Sequence, residues 1–406
     1  NWINIFGGYV YDIEAKPGSN STFYISTKND NAKRPEIFKS SDNGATWSLM
    51  DNGFYNPSDL SVATVYGCKI AVTPADPDRL YAGVIATGKP GDNGWIGIYY
   101  SLDGGATWQE DSGFDGGPYA SGSDMNTNWY VAGYSSGYHQ GWYNFDLDAS
   151  HIDPDKIWIG TIWFCESGNK GGNIEYIRGT RSLSMHADIQ DIDVHGNEIW
   201  VASDGGINFS NDEFLTTETR MDGIYASDFW GFSHGWNLDT WTGGRYHNGN
   251  GAYHANYGLG NTKMLGGAEA PTGYINPFNS LNAHYSDISD RKISSSLNMA
   301  SSTISNLEMY PSQSYFHFEY SEVEWHPNYA NVLYLGNEQV LHYSDDGGLS
   351  FTPLYEFPGE IKRFEISKQN PEIIYAIIKE DYWTWNIFKS ENGGVSFNIL
   401  NRPNYS

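Results

Sequence analysis

An eight-residue unit recurs four times along the chain, and it limits the fold more than any other feature. It reads Ser40-Ser41-Asp42-Asn43-Gly44-Ala45-Thr46-Trp47, then Ser101-Leu102-Asp103-Gly104-Gly105-Ala106-Thr107-Trp108. The later copies are Ser344-Asp345-Asp346-Gly347-Gly348-Leu349-Ser350-Phe351 and Ser390-Glu391-Asn392-Gly393-Gly394-Val395-Ser396-Phe397. Asp or Asn at the third position can accept from backbone N–H groups just downstream, and Gly at the fifth takes the backbone through positive φ. The Ser and Thr hydroxyls add local partners, and the closing ring begins the next strand. Each octet therefore predicts a self-bonded hairpin turn in which Asp42, Asp103, Asp346 and Asn392 are structural.

Between the octets, short runs alternate apolar and polar residues and are broken by Gly, Asn, Asp and Pro, which leaves little room for helices. Val10-Tyr11-Asp12-Ile13 opens the first unit and Ile70-Ala71-Val72 the second. The third runs from Phe145-Asp146-Leu147 to Ile157-Trp158-Ile159-Gly160 and reads as having lost its octet; the fourth, from Ile189, keeps a truncated Ser210-Asn211-Asp212. Units around Phe229 and Gly273 are the most eroded, and Val323-Glu324-Trp325 and Phe364-Glu365-Ile366 open the last two. A repeat of about 50 residues predicts one array rather than separate domains. The expectation is an all-β chain, residues 1–406, forming a single β-propeller of seven to eight four-stranded blades. Trp2-Ile3-Asn4-Ile5-Phe6 is the candidate closing strand. The rival expectation is that the chain is a section of a larger secreted protein.

The octet resembles the Asp-box, or BNR repeat, of sialidases, xyloglucan-active glycoside hydrolases, sortilin-type receptors and many secreted bacterial proteins, all of them β-propellers. In that family the box joins the two outer strands of a blade, away from the functional face, which implies a folding role. A second likeness covers about the central hundred residues. Met185-His186-Ala187-Asp188-Ile189-Gln190-Asp191 and Ser203-Asp204-Gly205-Gly206-Ile207 are similar to a pattern in secreted BNR-repeat proteins, including relatives of the xyloglucan hydrolases. Gly243-Gly244-Arg245-Tyr246-His247-Asn248-Gly249-Asn250 and Gly266-Gly267-Ala268-Glu269-Ala270 stand where those relatives carry Gln-Asp-Asn-Gly and Gly-Gly-Asp-Gly-Gly. The chain departs from the sialidases in lacking an Arg-Ile-Pro motif, since Arg34 precedes Pro35-Glu36. It departs from the xyloglucan hydrolases at Ser26-Thr27-Lys28-Asn29-Asp30, where their first blade carries a catalytic Asp.

A formal charge of −26 disfavours nucleic acid and anionic membrane surfaces as partners, and suits neutral glycans and cations. No stretch approaches the roughly 20 apolar residues that span a bilayer. Export to a secreted or cell-surface location is expected. Two cysteines, Cys68 and Cys165, allow at most one disulfide and read as buried thiols. Aromatics make up 16% of residues while hydrophobics as a whole are 39%, an excess of Tyr and Trp that suits partly wet faces on which sugar rings stack.

Candidate chemistry follows from these placements. Asp188, Asp191, Asp204 and Glu269 could supply the acid and base of glycoside cleavage, which needs carboxyls about 5–5.5 Å or about 6.5–9.5 Å apart. His247 with Tyr246 and Arg245 would suit proton abstraction beside a uronate, which is lyase chemistry. Trp129, Tyr130, Tyr138 and Trp142 lie in a long Gly/Ser/Asn-rich connection that could form a stacking platform. No cofactor is required; calcium is the one ion the acidic loops would suit, without a complete calcium-loop pattern. Two functions stay open: a glycan-binding or glycan-processing propeller, and a non-catalytic adhesion or protein-interaction module.

Overall fold

The computed structural model describes residues 3–29, 31, 33–56, 65–86, 95–111, 143–177, 183–224, 229–245, 249–266, 273–287, 290–297, 306–309 and 323–400. Among these residues the chain forms eight four-stranded sheets, each an antiparallel meander, with a short 3₁₀ turn at Ala255–Tyr257. The chain is all-β. It divides into two compact units, Asn1–Ile224 and Tyr225–Ser406, with four sheets in each.

In the first unit the inner strands are Val10–Ala15, Val65–Thr73, Asp146–Ala149 and Ile189–His195. Each lies beside the inner strand of the next sheet, so the sheets are propeller blades that meet along their first strands. Period-two alternation explains how a single blade serves two neighbours. In the second blade Leu80, Ala82 and Val84 pack toward Tyr24 and Ile37 of the first. Tyr81 and Ile85 point the other way, against Leu147, Ile157 and Ile159 of the third. Both faces are covered, which is why Trp95–Ser101 is buried throughout rather than alternating. A further core joins Trp158 and Phe164 of the third blade to Ile192, Val201 and Phe214 of the fourth.

The second unit repeats the scheme with inner strands Phe229–His234, Tyr274–Ile275, Val323–Trp325 and Glu360–Ile366. Its cores lie between consecutive sheets: Ala252 with Ile275 and Tyr285, Ile293 with Val323 and Leu335, and Tyr334 with Ile361 and Phe364.

The octets close the hairpins between third and outer strands. In the first, Ser40 Oγ accepts from Gly44 N at 2.8 Å, Asp42 Oδ1 accepts from Thr46 N at 2.9 Å, and Asp42 Oδ2 accepts from Thr46 Oγ1 at 2.7 Å. Two expectations are corrected here. The third blade has not lost its box: Ser167 Oγ accepts from Gly171 N at 3.0 Å and Asn169 Oδ1 from Asn173 N at 2.7 Å. The fourth box is complete, with Phe214 N donating to Ser210 Oγ at 2.8 Å and Thr216 N to Asp212 Oδ1 at 3.0 Å. Both depart from the pattern at the closing ring; the third also carries Asn173 where the other boxes have a hydroxyl, and the fourth Phe214 where they have glycine, while the backbone donors keep their acceptors. The left-handed turn also takes two residues rather than one, as at Asn43 and Gly44 (φ 59° and 81°).

The expected closing strand is also corrected. Residues 3–8 form no strand, because the first sheet already has its own outer strand, Ser48–Leu49. Ile5 instead accepts from Trp47 Nε1 through its carbonyl, and Phe6 packs edge-on against Phe38 and Trp47. Cys68 and Cys165 are free and buried, and burial pushes both thiols well above the ordinary range, so they pack as small apolar groups.

Candidate functional site

Three places concentrate polar chemistry, two in the first unit and one in the second. The first lies where the chain enters the inner strand of the fourth blade. The two central sequence stretches do meet there. Gln190 Nε2 donates to Asp204 Oδ1 at 2.8 Å, and Asp204 N donates to the Asp188 carbonyl at 3.2 Å. A β-carbon on Gly205 would fall 2.3 Å from the His186 β-carbon, so only glycine lets the imidazole seat on this turn. Asp188 holds φ at 62°, a left-handed conformation unusual for a residue other than glycine, and its Oδ1 accepts from Asn144 Nδ2 at 3.3 Å. Asp191, the next charged residue, is exposed on the inner strand itself.

The second place is a column of charge along the inner strands of the same unit. Three of these strands alternate charged and apolar residues, Asp12-Ile13-Glu14, Asp146-Leu147-Asp148 and Asp191-Ile192-Asp193, and the other contributes Lys69. The carboxylates reach across to the neighbouring blade. Asp12 Oδ2 accepts from Ile70 N at 2.8 Å, Asp146 Oδ2 from Ile192 N at 2.7 Å, and Asp148 Oδ2 from Val194 N at 2.8 Å. Lys69 Nζ lies 3.1 Å from Asp146 Oδ1. The inner strand of a blade has amides with no strand beyond them, and these side chains satisfy them.

Electrostatics in the column are one-sided. Burial, aided by Asp12 and Asp146, pushes the Glu14 carboxyl from its ordinary 4.5 up to about 8. Burial raises Asp146 to about 6 against the pull of Lys69, and raises Asp12 and Asp148 as well. Burial opposes the charge on Lys69, yet Asp146 and Asp12 hold it above the usual lysine range. The alternating charge is visible in the sequence at three of the four strands. It carries no local signal of a site, because each carboxylate finds its partner on the next blade, far along the chain.

The third place is a cavity of about 450 Å³ inside the second unit. It is lined by residues from the end of each inner strand and the turn that follows, including Ser233, Trp236, Tyr274, Glu324, Trp325 and Lys368. In an antiparallel meander that turn and the hairpin before the outer strand lie at the same end of the sheet. The cavity is therefore at the Asp-box end, whereas the family resemblance implied a functional face away from the boxes. Trp236 is 73% exposed, whereas Trp325 is 7% exposed and its indole N–H has no acceptor among the described residues. Ser233 Oγ accepts from Ile275 N at 3.0 Å, the same blade-to-blade tie that Asp12 makes, which leaves its hydroxyl proton free to donate.

Of the other sequence candidates, Arg245 ends the strand Thr240–Arg245 and is half-buried. Tyr246, His247, Glu269, Trp129, Tyr130, Tyr138 and Trp142 lie outside the described residues. Among the described residues no three His, Cys, Asp or Glu side chains converge as metal ligands, and no helix is long and apolar enough to cross a membrane.

A model of the BNR/Asp-box repeat matches residues 99–110, the second octet with its flanks. No curated protein matches the chain. Among solved structures, a GH74 enzyme of Niastella koreensis is 13% identical, with 96% of this chain and 71% of that one covered at a TM-score of 0.34. The GH74 xyloglucanase of Xanthomonas campestris is 11% identical over 96% of this chain and 72% of that one, with a TM-score of 0.37. An ancestral GH74 enzyme is 11% identical over 97% and 72%, with a TM-score of 0.47. The hydrogen-bonded boxes and the repeated meanders, together with the repeat match, identify the chain as a series of Asp-box β-propeller blades.

Proposed function

We propose that this chain is an exported glycan-binding propeller that holds carbohydrate by stacking and hydrogen bonding. The observation that carries the reading is the cavity of the second unit, where an exposed indole, a carboxylate and a lysine share one wall system of small-molecule size. Sugars present apolar ring faces edged with hydroxyls, and this combination of rings and polar groups matches both. The carboxylates of the first unit support binding over cleavage, because Asp12, Asp146 and Asp148 are already engaged by backbone amides.

Hydrolysis is the second reading, and one observation favours it. Burial keeps Glu14 protonated near neutral pH, the state a general acid needs. Screening the purified chain on plant and algal polysaccharides, for both retention and turnover, tests the two together. Retention without turnover is expected. Turnover lost in Glu14→Gln or in an Asp188→Ala/Glu269→Ala double variant would establish the hydrolase instead. Absence of any glycan ligand would leave the adhesion or protein-interaction module.

A further inference from the structure

We infer that the cavity of the second unit receives the end of an uncharged sugar chain, seated on Trp236 and hydrogen-bonded by the Trp325 indole N–H and the Glu324 carboxylate. The inference rests on the glycan-binding reading above and names its site and ligand class.

A buried indole N–H without an acceptor is unfavourable in the free protein, and a ligand oxygen that accepted from it would remove that penalty. Glu324 offers carboxylate oxygens to which adjacent sugar hydroxyls can donate, and Ser233 can donate its remaining proton. Trp236 lines the cavity and is largely exposed, so its indole is open to a ligand. The volume, about 450 Å³, is of the size that takes a short stretch of sugar rings, such as a chain end. Pro277 and Pro327 stiffen the turns that bound it, so little ordering remains to be done on binding.

Charge selects against acidic sugars. Glu324 lines the cavity on a chain whose formal charge is −26, and Lys368 is the one cation among the lining residues. A uronate would have to enter against Glu324 and the net charge, with Lys368 alone to offset them.

Calorimetric titration of the full chain with neutral gluco-, manno- and xylo-oligosaccharides and with oligogalacturonate tests this, alongside Trp236→Ala, Trp325→Phe and Glu324→Gln. Trp236 is exposed and Trp325→Phe keeps a ring in place, so the fold should survive, and circular dichroism checks it. A neutral oligosaccharide is expected to bind. Trp236→Ala should weaken it by at least about tenfold, a difference of about 1.4 kcal/mol. Trp325→Phe should weaken it several-fold, and the indole proton resonance that this variant deletes should move during titration of the parent. Neutral sugars that bind equally well to all three variants, or a preference for oligogalacturonate, would overturn this inference and leave glycan binding standing. Failure of every sugar to bind would overturn both.

Discussion

At the residue scale, the box works because one carboxylate collects donors that the turn would otherwise expose. Hydrogen bonds from the Thr46 backbone and hydroxyl hold Asp42 down to about 2, so it stays ionised and bonded under all ordinary conditions. The fourth box shows what the glycine positions are for. There Glu213 and Phe214 hold φ at 59° and 58°, a strained conformation for both. Phe214 offsets its strain by burying its ring completely, edge-on to Phe164 at 4.8 Å. Phe214→Gly would restore the usual box residue yet is expected to destabilise the first unit by about 2–4 kcal/mol, because the emptied core outweighs about 1 kcal/mol of relieved strain. Glu213→Gly, on the exposed side, should instead be neutral or stabilising by up to about 1 kcal/mol. Urea denaturation of the two variants decides whether packing or backbone strain dominates this turn.

At the element scale, blades are joined by two mechanisms, apolar faces and inner-strand ties. Asp148 holds Val194 N and Ala149 N at 2.8 Å and 2.7 Å, so Asp148→Ala strands two amides at a blade junction. The expected loss is about 2 kcal/mol, with amide hydrogen exchange at Val194 accelerated more than at amides of the box hairpins. Unchanged exchange at Val194 would mean that apolar packing alone holds the junction. The boxes were legible in the sequence because all their partners lie within eight residues. The ties were not, because Asp12 reaches Ile70 and Asp146 reaches Ile192, distances along the chain that no local pattern encodes. His186, Asp188, Gln190 and Asp204 were legible as a group, since one hairpin folds the two stretches together.

At the scale of the whole molecule, the two units should answer pH with opposite signs. In the first, Glu14 rises from 4.5 to about 8 and Asp146 from 3.8 to about 6, so burial disfavours their charged forms. Their contribution is complete below the ordinary carboxylate values and is lost as pH rises through about 8. The boxes set the acid limit, because Asp42 lies near 2 and loses its advantage as pH falls from about 4 toward 2. Stability of this unit should therefore peak near about pH 4–5 and decline toward pH 8. Glu14→Gln, which mimics the protonated acid, should remove on the order of 3 kcal/mol of that decline and change little at pH 5. His151, lowered by burial and by His195, pulls the other way, and the comparison with Glu14→Gln separates the two. In the second unit burial beside Arg291 lowers His284 from 6.5 to about 3, so stability there falls as pH drops below the ordinary histidine value. Hydrogen exchange read separately over the two units at pH 5 and pH 8 checks both signs.

The sequence by itself determined the strands, the period and the box turns, since alternation and short-range hydrogen bonding need nothing beyond neighbouring residues. Only the tertiary structure decided which carboxylates are spoken for and where an opening remains. Glu14 is perturbed by side chains from other blades, and the walls of the cavity come from four inner strands between Phe229 and Ile366. Burial and charge act through space, and in a repeat fold the residues nearest in space belong to the next repeat.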